Sequence, residues 1–257
     1  FKSKTMKIRS IKTEKIIPDN KDIYSVLDMY IEEFRESSIL AITSKIISIC
    51  EGRIVKVGKI DKKELIKNEA EFFLTPEDNK YNITLTMKSN LLIPTAGIDE
   101  SNGNGYYILS PSNPQKTANE IRVYLCRRFS LKKVGVIITD SKTTPLRTGT
   151  TGVAIAHSGF LALKNYVGKP DIFGRKFEVT KANVLDALAA VAALVMGEGD
   201  EQTPLALIED IPFVEFQGRN PTDTELEELK ININDDLYGP LLKNIKWEKG
   251  RSETNMV

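Results

Sequence analysis

Three stretches of this chain hold residues able to do chemistry. Gly135-Val-Ile-Ile-Thr-Asp140-Ser141 is an apolar run that stops at a carboxylate and a hydroxyl. It continues through Pro145, Arg147 and Gly149-Thr-Thr-Gly152. Leu91-Leu92-Ile93 leads in the same way to Ala96-Gly97-Ile98-Asp99, followed by Glu100-Ser101-Asn102-Gly103-Asn104-Gly105. Gly197 is followed by Glu198, Gly199, Asp200 and Glu201 before Pro204. An apolar run ending at an acid means either a helix cap or a strand end that holds a ligand. Taken together without Cys or His partners, Asp99, Asp140 and Glu198 are an oxygen donor set that suits Mg²⁺ or Mn²⁺. Magnesium usually takes one or two carboxylates plus substrate phosphates. Ser141 adds a hydroxyl ligand. Lys45 and Arg147 are phosphate partners, the arginine by its planar fork.

Each of these features has a plainer reading. Asn and Gly are turn formers, so the stretch from Asn102 to Gly105 fits a hairpin turn. The acids after Gly197 fit a solvated turn, although negative charge past a helix C-terminus runs against the macrodipole and a bound cation would offset it. Thr43-Ser44-Lys45 sits at a strand-to-helix junction, where free N–H groups favour anions. There an anion contact and a simple N-cap with a solvated lysine weigh evenly.

The elements that must position these residues follow from periodicity. Alternation predicts strands over Met6 to Ile11, Tyr81 to Met87 (with Ile83 and Leu85 inward) and Val134 to Thr139, the last β-branched and central. Short strands are expected at Ile39 to Ile42, Ile54 to Val57, Tyr106 to Leu109, Phe177 to Val179, Leu205 to Ile208 and Val214 to Phe216. Ile17-Pro18-Asp19-Asn20 reads as a turn. Helical spacing predicts a helix from Asp22 closed by Ser37-Ser38, one from Ile46 to Cys50, one over Ser158 to Val167, and one from a Thr180 cap to Met196. Asp61-x-x-Glu64, Thr117-x-x-Glu120 and Thr222-x-x-Glu225 read as capping boxes.

Composition narrows the function. The 257 residues suit one domain running from residue 6 to 248, with two subdomains as the alternative. Residues 1–5 read as a remnant ahead of Met6, and 249–257 as a disordered tail. A net charge of +1 argues against a nucleic-acid or acidic-membrane binder. No apolar run approaches the roughly 20 residues of a spanning helix. Cys50 and Cys126 read as buried thiols in a reducing cytosol, which makes the expected location cytoplasmic. A single histidine, His157, argues against a His-based zinc site and a Ser-His-Asp triad. Gly52 to Gly58-Lys59 is one residue too long for a Walker A loop, and Gly103-x-Gly105 lacks the third glycine of a dinucleotide fingerprint. Residue physics alone therefore ends at an α/β protein binding a metal and a phosphorylated ligand.

Six motifs in one order carry the reading further. They are Thr43-Ser-Lys-Ile-Ile-Ser-Ile-Cys-Glu-Gly-Arg53, Ala96-Gly-Ile-Asp-Glu-Ser-Asn102, Gly135-Val-Ile-Ile-Thr-Asp-Ser141, Gly149-Thr-Thr-Gly-Val-Ala-Ile-Ala156, Asp171-Ile-Phe-Gly-Arg175 and Leu194-Val-Met-Gly-Glu-Gly199. Together they resemble the coenzyme F420-0:γ-glutamyl ligase family, from about residue 8 to about residue 215. The resemblance implies a mixed α+β fold dimerising into an intertwined butterfly. It also implies a ligase in which a nucleoside triphosphate, GTP in archaeal members, phosphorylates an acceptor carboxylate and the amine of L-glutamate displaces phosphate. It matches Asp99 and Asp140 to a first metal position, and Ser141 and Glu198 to a second, for Mg²⁺ or Mn²⁺.

The same resemblance matches Ser44, Asn102 and the loop from Met196 to Thr203 (Met196, Gly197, Gly199, Asp200, Glu201, Gln202, Thr203) to nucleotide contacts. Glu14 to Ile17 matches a further nucleotide-binding stretch. Arg147 falls in the arginine-bearing loop near the reactive phosphate, and we assign it a catalytic part with Asp140. Some archaeal members carry a nucleotide-binding lysine where this chain has Ile49. Lys45, one turn earlier, is the nearest basic substitute, which leaves both GTP and ATP open. The expected partners are L-glutamate, the triphosphate, an acceptor and a second copy of the chain, with no nucleic acid and no membrane. The acceptor is coenzyme F420-0 or, as in relatives read as folate γ-glutamate ligases, a tetrahydrofolate. The non-enzymatic alternative is a nucleotide-binding protein that kept the scaffold.

Overall fold

A computed structural model describes residues 5–18, 22–75 and 80–252. Strand β1 (Lys7–Ile11) is followed by helix α1 (Ile23–Tyr30), capped by the Asp22 carboxylate, which accepts the Ser25 N–H at 2.8 Å. Strand β2 (Ser38–Thr43) runs straight into helix α2 (Ser44–Cys50). Next come β3 (Ile54–Lys56), α3 (Lys62–Glu69), β4 (Phe72–Leu74), β5 (Leu85–Lys88), β6 (Leu91–Pro94) and β7 (Tyr106–Ile108). Helix α4 (Pro114–Arg128) precedes the long hairpin of β8 (Val134–Thr143) and β9 (Thr150–Ser158). Then follow β10 (Leu163–Asn165), β11 (Lys181–Asn183), α5 (Val184–Met196), β12 (Leu205–Glu209), α6 (Asp223–Glu227), α7 (Gly239–Leu242) and β13 (Glu248–Lys249).

The main sheet has the order β1-β12-β2-β8-β9, and within it only the β2–β8 pair is parallel. Its inner strands are covered on both faces, so they read as continuous apolar runs. Leu40, Ile42, Val136, Ile138 and Leu207 point to the side holding α1, α2 and α4. Ile39, Ala41, Ile137, Ala206 and Ile208 point to the side holding α5. The alanine-rich face of α5 lets that helix approach very closely. A Cβ on Gly152 would lie 2.5 Å from the Ala189 carbonyl oxygen and 2.6 Å from the Ala193 Cβ. A second, antiparallel sheet, β13-β4-β5-β6, and the β3–β7 pair hold smaller cores that include Leu65, Ile66, Ile98 and Phe73. The architecture is the mixed α+β expected from the sequence.

Several local expectations were overturned. The helix after Asp22 ends at Tyr30, well before Ser37-Ser38. No helix spans Ser158 to Val167: Ser158 ends β9, and Gly159 turns the chain at φ +87° so close to β8 that a Cβ there would meet the Val134 oxygen. Phe177 makes one isolated bridge to Val167, and the paired strand is Lys181–Asn183. The cap of α5 is accordingly Asn183, which accepts the Asp186 N–H, and not Thr180. Phe216 likewise makes only an isolated bridge, to Phe160. Thr117 lies inside α4, because Asn113 caps that helix one turn earlier with Pro114 at its first position.

The alternation around β5 has the opposite phase. Ile83 is 43% exposed, whereas Thr86 is fully buried, donating to the Ile93 carbonyl and accepting the Ala96 N–H. The expected disordered tail is ordered to Ser252, since Gly250 and Arg251 donate to Glu71 and Lys67. Cys50 and Cys126 form no disulfide among the described residues and are only partly buried. The capping box at Thr222 is present, and Asp61 caps α3 through the Lys63 and Glu64 N–H groups. The turn at residues 17–20 lies partly outside the described residues, as do residues 1–4 and 253–257. Among the described residues no helix is long and apolar enough to cross a membrane.

His157 on β9 is buried edge-on to Phe160, and burial pushes its pKa down from 6.5 to about 4. Between those values the unfolded chain takes up a proton that the folded chain refuses. Stability is therefore lost as pH falls from 6.5 to 4, by about 3 kcal/mol. Urea unfolding of His157→Gln beside the wild type, at pH 7 and pH 4.5, is expected to show a smaller acid loss in the variant. An equal loss in both would remove His157 from the account.

Candidate functional site

The site forms where the parallel strands β2 and β8 end together. Thr43 pairs with Thr139, so Lys45 on the first turn of α2 and Asp140 on β8 leave the sheet at the same end. Carboxyl ends of adjacent parallel strands are where open sheets offer ligands room. Strand β8 does not stop at the acid, as its apolar run suggested, but runs on to Thr143. A register shift between β8 and β9 falls between Ile138 and Thr139, where β9 carries the extra residue Ile155.

Asp99 arrives from the second sheet. Its backbone is fixed by a two-way bridge to Ile108, at 3.0 and 2.7 Å. The turn that delivers it holds Thr95 and Ala96 at φ +54°, an uncommon conformation for residues with a Cβ. Gly97 then lets the two segments meet. A Cβ at Gly97 would sit 3.2 Å from Asp140 Oδ2 and 2.7 Å from Ser110 Oγ.

Lys45 joins these segments. Its ammonium lies 2.7 Å from Asp99 Oδ2 and donates to the Ser101 carbonyl at 3.0 Å and to Ser101 Oγ at 3.2 Å. Ser101 returns two donors to Asp99, its N–H at 2.7 Å and its hydroxyl at 2.9 Å. On the other side Asp140 accepts the Ser141 N–H at 2.8 Å, and the Ser141 hydroxyl donates to Glu198 Oε1 at 2.6 Å.

The loop after α5 closes the third edge. Asn102 Nδ2 donates to the Gly199 carbonyl at 2.8 Å. The Glu201 carboxylate folds back under Gly197 and accepts the Gly199 N–H at 2.8 Å. Thr203 donates to the Met196 carbonyl, and the Thr13 N–H donates to the Gln202 carbonyl at 2.9 Å. That last bond ties the Glu14 to Ile17 segment, which lines a small groove beside Tyr30, to the same loop. Of the three acids in the loop, only Glu198 reaches Ser141, while Asp200 stays exposed.

Charge follows this geometry. Burial pushes the Asp140 carboxyl up to about 6. The Ser141 N–H and the Lys45 charge oppose that rise, while the Asp99 and Glu198 charges add to it. Burial also acts on Asp99, but its Lys45 pair and the Ser101 donors outweigh it and hold the carboxyl below its usual value. Asp140 thus feels the charges of both Asp99 and Glu198. Even so, among the described residues no three Asp, Glu, His or Cys side chains are placed to hold a metal without movement. The donors present, three carboxylates and a hydroxyl, fit a hard cation. The Lys45 ammonium already accepts oxygen ligation at Asp99 as a stand-in cation.

The structure therefore gathers Lys45, Asp99, Asn102, Asp140, Ser141, Glu198 and the 196–203 loop. Ser44 is buried at the start of α2. Arg147 lies in the exposed turn between β8 and β9 and makes no ion pair with these acids. Sequence reasoning did not single out Ser101, Gly97 or Thr13 as site residues. The Asp99-x-Ser101 spacing, which suits an Asx turn, was the available signal for the first.

Asp140 is held at a cost. Its folded pKa exceeds its usual 3.8, so it favours folding below pH 4 and loses that advantage as pH rises through 6. At pH 7 the ionised group costs on the order of 3 kcal/mol. Asp140→Asn is expected to raise the melting temperature at pH 7 and to lose that gain below pH 4. Calorimetry showing a lower melting temperature at pH 7 would contradict this.

Comparison with known proteins places the chain in a family. The family model of F420-0:Gamma-glutamyl ligase matches residues 10–210. The coenzyme F420:L-glutamate ligase of Methanococcus maripaludis strain C6 is 37% identical over 171 residues, 66% of this chain and 64% of that relative. The protein of that name from Methanocaldococcus jannaschii is 35% identical over 170 residues, 65% of this chain and 64% of the relative. The chain thus spans slightly less than two thirds of the length of these two. The Methanopyrus kandleri protein of the same name is 31% identical over 244 residues, 88% of this chain and 91% of the relative. The chain belongs to the F420-0:Gamma-glutamyl ligase family.

Proposed function

We propose that this chain is a ligase that uses a nucleoside triphosphate and a divalent metal to join L-glutamate to a carboxylate of coenzyme F420-0 or a similar acceptor. The observation that carries the reading is that buried Asp140, at the end of the parallel pair, feels the charges of Asp99, Lys45 and Glu198, which come from three other segments. Membership of the family and the names of the relatives support it.

In this reading Asp99, Asp140, Ser141 and Glu198 hold Mg²⁺ or Mn²⁺, in two positions. The metal supplies charge neutralisation for phosphate oxygens. Ser44, Lys45, Asn102 and the loop of Met196, Gly197, Gly199, Asp200, Glu201, Gln202 and Thr203 take the nucleotide, GTP or ATP. The acceptor carboxylate attacks the terminal phosphorus and the nucleoside diphosphate leaves. The glutamate amine then attacks the acyl carbon, an amide bond forms, the amine proton is lost and inorganic phosphate leaves. Little covalent work falls to the protein, so positioning and charge carry catalysis. Arg147, on its exposed turn, closes on the transferring phosphate. A homodimer belongs to the same reading. Ile172 and Phe173, 90% and 89% exposed, are apolar surface that a second copy would cover.

Isothermal titration with GTP and ATP, with and without Mn²⁺, tests the reading. Metal-dependent binding of one nucleotide is expected. Absence of binding by either nucleotide in the presence of metal would falsify it. Incubation with glutamate, nucleotide and either the deazaflavin precursor or a tetrahydrofolate, read by mass spectrometry, then identifies the acceptor by its gain of one glutamate. Asp140→Asn is expected to lose turnover in the same assay while unfolding cooperatively.

A further inference from the structure

We propose that Lys45 is an exchangeable counter-ion, which neutralises Asp99 until a divalent cation takes that carboxylate and then passes to the phosphates of the nucleotide. This rests on the ligase reading above and adds a coupling between its two ligands. A lysine ammonium has three donors. Those of Lys45 face Asp99 Oδ2 at 2.7 Å, the Ser101 carbonyl at 3.0 Å and Ser101 Oγ at 3.2 Å. Asp99 Oδ2 also accepts the Ser101 hydroxyl, and Oδ1 accepts the Ser101 N–H. Oδ2 therefore already has two partners, one of them a cation.

A divalent cation binds a carboxylate oxygen at about 2.0–2.1 Å for magnesium. A dication and an ammonium cannot both hold Oδ2 at such distances, since their repulsion acts far inside the Debye length. For the metal to bind, the Lys45 pair has to open. The side chain can do so: it stands on the first turn of α2 and keeps 23% of its surface exposed. Lys45 is also the cation whose charge acts on both Asp99 and Asp140. Its release leaves those acids to the metal and frees a compact charge of the kind that binds phosphate.

Metal alone must break these contacts without compensation. Metal together with nucleotide gives Lys45 a new partner. The two ligands therefore bind with positive coupling, part of which runs through this side chain. The test is Mn²⁺ titration of the full chain, read from the electron paramagnetic resonance of free Mn²⁺. It is run with and without guanylyl imidodiphosphate, and with the adenylyl analogue in parallel.

In Lys45→Met, Mn²⁺ alone is expected to bind about tenfold tighter than in the wild type, and the enhancement by nucleotide to shrink by a similar factor, both within the usual range of such couplings. Lys45→Arg, which keeps the charge, is expected to keep the weak binding of metal alone. Lys45→Gln serves in place of Lys45→Met if the methionine variant does not melt cooperatively. Unchanged or weaker binding of Mn²⁺ alone in the neutral variants, with coupling intact, overturns the exchange and leaves the ligase reading standing. Absence of Mn²⁺ binding by wild type and variants even with nucleotide overturns both.

Discussion

The ion pair between Lys45 and Asp99 is the interaction that lets three acids share one end of the sheet. Asp140 carries a carboxyl whose ionisation is already opposed by burial and by the charges of Asp99 and Glu198. Like charges so placed disfavour one another. One ammonium, fixed by Asp99 and Ser101, provides the opposing charge. The rest of the local architecture can be derived from the need to bring that ammonium there. Strand β2 passes into α2 without a loop, so Lys45 emerges two residues beyond the pair Thr43–Thr139. Strand β8 is parallel to β2 and delivers Asp140 to the same edge. Asp99 comes from a different sheet, which requires the tight turn through Thr95, Ala96 and Gly97.

That arrangement carries strain, and the core supports it. Left-handed backbone at Thr95 and Ala96 costs on the order of 1–3 kcal/mol per residue. Thr86 and Thr95 hold the turn through the Ala96 N–H and the Ile98 carbonyl. The ionised Asp140 adds a further cost at neutral pH. Helices on both faces of the main sheet, with α5 packed directly on the backbone of Gly152, supply the burial against which these costs are set. Asp140 and His157 depend on pH in opposite senses, because burial disfavours the charged form of each.

Much of the fold was legible where period and burial agree. Val134 to Ile138 and Ile39 to Ile42 read as buried strands because both of their faces are covered. The acids of the site were legible as apolar runs that stop at a carboxylate, although β8 itself continues past Asp140 to Thr143. What failed did so through competition between local signals. Phe160, Leu163 and Tyr166 have helical spacing, yet Gly159 fits only a turn against the Val134 carbonyl. Thr117 and Glu120 have the capping-box spacing, but Asn113-Pro114 starts the helix earlier. Thr86 lies inward because its hydroxyl satisfies two backbone groups, which no hydropathy pattern reports. Ser101 was hidden for a related reason: its role is to hold a carboxylate and an ammonium in register, and that contact spans 56 residues.

Helix α2 supplies the last constraint. Lys45 is its only basic residue, and Ile49, four positions on and so on the same face, is buried. The resemblance to archaeal members places a nucleotide-binding lysine at that second position. A chain with both lysines can divide the work, leaving one ammonium on the carboxylate while the other meets phosphate. Here a single ammonium faces Asp99, and an apolar side chain occupies the alternative. In the proposed reading, neutralising the acids and meeting the nucleotide fall to the same group, which would do them in turn. On the proposed ligase reading, an apolar residue at position 49 leaves Lys45 as the basic group of α2 through which metal and nucleotide would be coupled.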